Sequence, residues 1–267
     1  LIYHEHSFFG GLAGQDIINE GYQPASFGVL FYCGIYLYLI RKYFYAVFLI
    51  CLSASFHPSY VIHSGFLLFG FFIYFFSVRE YKLLLKVFAS YIILILPITI
   101  YIILNFLLID RELSSTGKLI LLERIPHHAL IDNWFSYKDI IAILVYAISL
   151  FIIRKNKKIF LPLLVFGFLS ILFSTIQFLT QSQSLALAFP WRASVFLIPL
   201  SSMMIMSFCI NKLLSKKINL NIIGVLLFLI IFSFFFIKNY FIKNTNQNFY
   251  TKLELTKEIN KNYNNIQ

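Results

Sequence analysis

The sequence predicts an all-α fold, a polytopic transmembrane helical bundle of about eight spans. Three observations carry this expectation. Of 267 residues, 60% are hydrophobic and only 12% are charged. The mean hydropathy is +0.80. Apolar runs, many of them close to the ~18 residues a transmembrane helix needs, recur between short polar stretches. A soluble domain of this length needs far more polar surface. A transmembrane β-barrel would show short alternating segments instead.

Residues 1–25 are polar and hold neither Lys nor Arg, which suits an extracytoplasmic loop or interfacial segment. The transmembrane domain is expected over 26–237. Its first span, 26–40, stops at Arg41-Lys42. Runs 44–56 and 60–76 form a helical hairpin with His57-Pro58-Ser59 at the tip and Arg79, Lys82 and Lys86 beyond its open end. The first arm is short, roughly 20 Å at 1.5 Å per residue, against a hydrocarbon core of ~30 Å. The tip is therefore expected below the membrane surface, in a protein-lined recess. The fourth span, 83–109, carries Pro97 and calls for a tilt or kink. It opens into an outer loop at 110–136. Spans 139–153 and 159–179 flank Arg154-Lys155-Asn156-Lys157-Lys158, and Phe189-Pro190-Trp191-Arg192 precedes a span over 193–210 that carries Pro199. A last span, 220–237, leads to a polar tail, 238–267.

The net charge of +11 comes from short basic clusters between apolar spans, which is how cytoplasmic loops look under the positive-inside rule. It does not indicate nucleic-acid binding. Arg41, Lys42, Arg79, Lys82, Lys86, Arg154, Lys155, Lys157, Lys158, Lys212, Lys216 and Lys217 fall on one side of this layout. Arg111, Lys118, Arg124, Lys138 and Arg192 fall on the other. The tail also carries lysines, and a re-entrant last span would return it to the cytoplasm. All six histidines, His4, His6, His57, His63, His127 and His128, lie on the side poor in cations, together with both tryptophans. Cys33, Cys51 and Cys209 sit inside apolar runs without paired spacing and read as small buried hydrophobes. The chain starts at Leu1 with no signal-peptide pattern and reads as the later part of a longer protein.

Four groups are candidates for chemistry. Arg124, His127 and His128 stand around Pro126 in the outer loop, where a guanidinium and splayed imidazoles suit a phosphate or pyrophosphate. A solvated loop is the plain alternative. Trp134 follows in the same loop. His57 and His63 flank the start of the hairpin's second helix, with Ser59 and His63 four residues apart on one face. Ser59 reads equally as a helix cap, but ionisable residues near membrane depth usually face a cavity or a partner. Trp191 and Arg192 read as an interfacial belt residue and a snorkelling cation, or as an anion site at the start of a span carrying Ser194, Ser201, Ser202 and Ser207. Asp16 and Glu20 lie four apart and suit a general base or a divalent-cation ligand, with solvent-exposed acids as the alternative. No metal site is expected elsewhere, since His4-Glu5-His6 lacks a third ligand. No Walker A, CxxC pair, HExxH or GxSxG occurs. The absence of mid-span acids argues against an ion-coupled carrier.

Gly21-Tyr22-Gln23-Pro24, His57-Pro58-Ser59-Tyr60, Arg124-Ile125-Pro126-His127-His128 and Pro190-Trp191-Arg192 together resemble a group of bacterial multi-pass membrane proteins near the GT-C-type glycosyltransferases and surface-polysaccharide polymerases. The resemblance implies the C-terminal part of a GT-C-like protein in the bacterial cytoplasmic (inner) membrane. Its partners would be membrane lipid and a polyprenyl-phosphate-linked saccharide, transferred or polymerised at the extracytoplasmic face. Arg124 and Arg192 would stabilise departing phosphate charge. His57 or His127 would handle the proton, and Trp134 and Trp191 would offer apolar platforms. The GT-C type usually carries an acid in its first outer loop, a region expected upstream of Leu1. A non-enzymatic lipid or glycan flippase and a structural membrane component are the other readings.

Overall fold

In the computed structural model, residues 11–12, 24–107, 116, 119–120, 123, 131 and 135–214 are described. The helices are α1 (Val29–Leu39), α2 (Tyr43–Phe56), α3 (Tyr60–Ser77), α4 (Tyr81–Ile102), α5 (Tyr137–Ile153), α6 (Lys157–Thr180), α7 (Gln183–Ala188) and α8 (Ser194–Leu214). Short 3-10 turns at Pro24–Gly28 and Pro190–Ala193 lead into α1 and α8, and a π turn, Ile103–Leu107, follows α4. Every span expected between 26 and 210 is therefore helical in its described residues. The fourth leaves regular α geometry at Ile103, short of the expected 109. The expected span at 220–237 and the tail at 238–267 lie outside the described residues. The chain divides into two units, Leu1–Phe208 and Cys209–Gln267. The features below all belong to the first.

Among the described residues, four helical segments are long and apolar enough to cross a membrane: Tyr60–Ser77, Tyr81–Asn105, Lys157–Thr180 and Pro190–Leu213. Helices α1, α2 and α5 are shorter. The exposed faces agree with a lipid solvent. Leu85, Ile93, Leu96 and Ile100 on α4 point outward, as do Leu144 and Phe151 on α5 and Phe168 on α6. In water, contiguous apolar surface on this scale would drive association. This is a helical membrane protein.

Helices α3 and α6 make the most extensive contact, and a glycine permits it. A Cβ on Gly70 would lie 2.6 Å from Pro162 Cα, so only hydrogen fits between the two backbones. At Gly167 the space is filled by Tyr146, whose hydroxyl donates to the Leu163 carbonyl at 2.6 Å and ties α5 to α6. Ser149 Oγ donates to Ser201 Oγ at 2.9 Å, joining α5 to α8. An aromatic layer, Phe31, Phe166 and Phe196, fills the space between α1, α6 and α8, with Phe196 stacked on Phe31 at 4.9 Å and on Phe166 at 4.8 Å.

The two ends of the bundle differ in chemistry. At one end, α1 closes with Arg41 at φ 66° and α3 with Arg79 at φ 61°. In both turns the hydrogen bonds are those of a Schellman motif. Lys42 N–H donates to the Leu37 carbonyl and Arg41 N–H to that of Tyr38; Glu80 N–H donates to Phe75 and Arg79 N–H to Phe76. Lys158, in the first turn of α6, donates from Nζ to the Leu39 carbonyl at 2.7 Å beside the rings of Tyr38 and Tyr43. Tyr38 in turn stacks on Phe71 of α3 at 3.9 Å. The basic termini of α1, α3 and α6 thus share one end, where cations also favour the helix C-terminal dipoles of α1 and α3. The α2–α3 turn and the Pro190–Ala193 turn share the other end, joined by the contacts below.

Candidate functional site

The α2–α3 turn is set by Pro58. A residue before proline is held extended, and His57 takes φ −146° and ψ 120°, ending α2. Ser59 then starts α3 in helical geometry, but its side chain does not cap the helix. This departs from the capping reading of the sequence, and the reason is competition from stronger partners. The Ser59 hydroxyl lies 2.8 Å from His57 Nδ1 and accepts a hydrogen bond from Arg192 Nη1 at 2.6 Å.

Arg192 is delivered by the opposite turn. Phe189 adopts φ 50°, and Pro190, whose fixed φ suits a first helical position, begins the 3-10 turn. Arg192 N–H closes it onto the Phe189 carbonyl at 2.9 Å. The guanidinium sits 4.5 Å from the Phe189 ring centroid, a cation–π contact. Arg192 is only 5% exposed. It is not the snorkelling surface cation that its place beside Trp191 suggested.

His63, one turn into α3, is fully buried. Its Nδ1 lies 2.7 Å from the Ser59 carbonyl. A carbonyl only accepts, so Nδ1 carries a proton and donates. Among the described residues Nε2 has no hydrogen-bond partner of good geometry, and the backbone of Phe189 and Pro190 lies beside the ring. The ring packs edge-on against Tyr60, Phe66 and Phe166.

His57 is half-buried. Desolvation by burial, and then the nearby Arg192 charge, push its pKa from 6.5 down to about 4. The imidazole is therefore neutral near pH 7. The Ser59 backbone N–H also points at His57 Nδ1, at 3.3 Å. An N–H can only donate, so Nδ1 is the unprotonated nitrogen.

Trp191, the neighbour of Arg192, faces elsewhere. It is 3% exposed and packs edge-on against Phe189 at 5.8 Å. It also lines a cavity of about 510 Å³ with Leu12, Tyr146, Phe178, Leu197 and Ile198. The hydroxyls on the cavity wall each have a backbone partner. Ser170, Ser174 and Thr175 each donate to the carbonyl four residues back, and Ser194 Oγ accepts from Leu12 N–H at 2.8 Å. The cavity consequently presents an apolar lining. Ser201, also on α8, donates to the Leu197 carbonyl and accepts from Ser149, so it serves helix packing.

Of the residues predicted for the site, His57, His63 and Arg192 converge through Ser59, with Trp191 alongside. Asp16, Glu20, Arg124, His127, His128 and Trp134 lie outside the described residues. Among the described residues no three His, Cys, Asp or Glu side chains gather as metal ligands. Ser59 is the member of this cluster that the sequence reading left as a cap. Its signal was the spacing His-Pro-Ser with His63 four residues on.

Fold and site together define a helical membrane protein with a buried polar cluster around Arg192 at one end of its bundle. Set against known protein families, curated proteins and solved structures, the chain matches none.

Proposed function

We propose that this chain belongs to an enzyme that transfers or polymerises lipid-linked saccharide at the extracytoplasmic face of a bacterial cytoplasmic membrane, within a GT-C-like bundle of about eight spans. One observation carries this reading. Trp191 and Arg192, adjacent in one turn, face two different environments: Trp191 an apolar cavity, Arg192 a cluster of hydroxyl and imidazole. A lipid-linked phosphate has the same two-part chemistry. Its anionic group suits a guanidinium, and its hydrocarbon suits a mainly apolar lining. Asp16, Glu20, Arg124, His127, His128 and Trp134 enter the proposal as outer-segment residues completing the site around saccharide and phosphate.

The position of the cluster supports the choice of face. It lies at the end of the bundle away from Arg41, Arg79 and Lys158, and the positive-inside rule assigns that basic end to the cytoplasm. Helix α2, with 14 residues, rises about 21 Å. This keeps the His57 turn below the outer surface of the bilayer. A transferase is favoured over a flippase because the polar cluster stops at His63, with Phe31, Phe166 and Phe196 layered beyond it. A translocation path would continue polar toward the basic end.

The test is replacement of His57 and Arg192 singly by Ala in the native host, with surface glycan measured at matched protein level. Shortened or missing glycan is expected for both. Normal glycan in both variants removes the proposal.

A further inference from the structure

Ser59 spends every hydrogen-bonding group it has on the three site residues around it. Its carbonyl accepts from His63 Nδ1 at 2.7 Å and its N–H donates to His57 Nδ1 at 3.3 Å. Its hydroxyl oxygen accepts from Arg192 Nη1 at 2.6 Å. The fourth contact is the 2.8 Å approach of the hydroxyl to His57 Nδ1. Because Nδ1 already accepts from a backbone N–H, the hydroxyl proton must point at Nδ1 too. The neutral imidazole then carries its one proton on Nε2. That edge belongs to the half-buried ring, and no described residue accepts from it.

We infer that Ser59 is a positioning residue that fixes His57 as a hydrogen-bond donor to a phosphate or pyrophosphate oxyanion, with the imidazole presenting Nε2–H to the anion. This rests on the lipid-phosphate reading above and changes one role within it. His57 is not the base that takes a proton from the acceptor sugar, because its basic nitrogen is occupied twice by Ser59. Its burial-depressed pKa of about 4 agrees, since a neutral imidazole with a filled Nδ1 offers a donor and no acceptor. The local turn alone would explain the two contacts between His57 and Ser59. It does not explain why a guanidinium from a segment 133 residues away ends on the same oxygen. That convergence gives the hydroxyl a fixed direction, donating toward His57 and accepting from Arg192.

The experiment uses the chain labelled with ¹⁵N-histidine in phosphatidylcholine nanodiscs. In the absence of ligand at pH 7, His57 should show the neutral tautomer protonated at Nε2. Inorganic pyrophosphate and farnesyl pyrophosphate are then titrated separately. A shift of the His57 Nε2–H resonance with pyrophosphate alone supports a site that reads the anion, and a shift only with farnesyl pyrophosphate supports one that also needs the hydrocarbon. Ser59→Ala should weaken binding about tenfold and release the tautomer, and Ser59→Thr, which keeps a hydroxyl, should restore both. An Nδ1-protonated or cationic His57 in the wild-type chain overturns the inference even where Ser59→Ala fails to fold. So does pyrophosphate or farnesyl pyrophosphate binding that Ser59→Ala leaves unchanged, or binding of neither ligand. These tautomer readings stand apart from glycan output in the host, so a failure here is distinguishable from failure of the transferase proposal.

Discussion

Arg192 and Ser59, 133 residues apart in the chain, meet through a 2.6 Å hydrogen bond from Nη1 to Oγ, and both are nearly shut off from solvent. The bond ties the start of α8 to the hairpin of α2 and α3. A buried charge placed this way is costly unless its neighbours are polar. The Ser59 hydroxyl and the Phe189 ring supply part of that surrounding.

Removing the guanidinium should therefore cost stability as well as activity. Arg192→Ala deprives the Ser59 oxygen of its charged donor and should lower unfolding stability by about 2 kcal/mol. Arg192→Lys keeps the charge without the planar fork and should fall between. Denaturant unfolding in detergent measures both, and a wild-type midpoint for Arg192→Ala would contradict the bond's contribution.

The buried imidazole gives a pH dependence with a definite sign. His57 has a folded pKa of about 4, below its ordinary 6.5. As pH falls below 6.5 the unfolded chain takes up the proton first, so its free energy drops relative to the folded state. Stability should be full above pH 6.5 and decline toward pH 4. The groups facing the ring are Ser59, Tyr60 and Arg192, and of these only Tyr60 and Arg192 ionise, both well above this window. Thermal unfolding at pH 7 and pH 4.5 should show the decline for the wild type and a smaller one for His57→Gln.

Two glycines of α3 predict opposite outcomes for the same substitution. Gly70→Ala places a Cβ 2.6 Å from Pro162 Cα, in backbone that cannot rotate away. A loss of about 1–3 kcal/mol is expected. At Gly65 the new Cβ meets only the Tyr91 hydroxyl, at 3.4 Å, so Gly65→Ala should gain up to about 1 kcal/mol from helix propensity. A melting temperature in detergent for Gly70→Ala at or above that of the wild type would refute the close α3–α6 crossing.

Arg41 occupies the left-handed position of the turn after α1, at φ 66°. This conformation costs an L-residue about 1–2 kcal/mol, and glycine adopts it freely. Arg41→Gly should raise the melting temperature, offset in part by the lost cation at the helix terminus. A large drop would mean that the guanidinium does more there than close a turn.

Sidedness follows from the two unlike ends. Once Cys33, Cys51 and Cys209 are replaced, a membrane-impermeant maleimide applied to intact cells should label Gln181→Cys and spare Lys155→Cys until lysis. Both positions are exposed. The reverse pattern would move the Arg192 cluster to the cytoplasm and end the proposed outer-face chemistry.

The helices themselves were legible in the sequence. Runs such as 60–76 and 159–179 are too apolar to be anything but buried or lipid-facing, and Arg41-Lys42, His57-Pro58-Ser59 and Arg154–Lys158 mark their ends. Local chemistry decides such boundaries, because a helix satisfies its own backbone wherever it forms. That His57, His63 and Arg192 deserve attention was also legible, since charge near membrane depth needs a reason.

Only the tertiary structure decided what these residues do together. Whether Ser59 caps α3 or bonds to a guanidinium depends on a segment 133 residues away, and nothing in His-Pro-Ser specifies that partner. The same holds for Trp191 and Arg192, which sequence alone made a membrane-belt pair and the packing of the Pro190–Ala193 turn against α6 and α3 sends to different surroundings. Hydrophobic pattern sets where a helix begins and ends. Which side chains meet is set by how closely backbones approach, as at Gly70 and Pro162, and that is a property of pairs of helices which no single stretch of sequence contains.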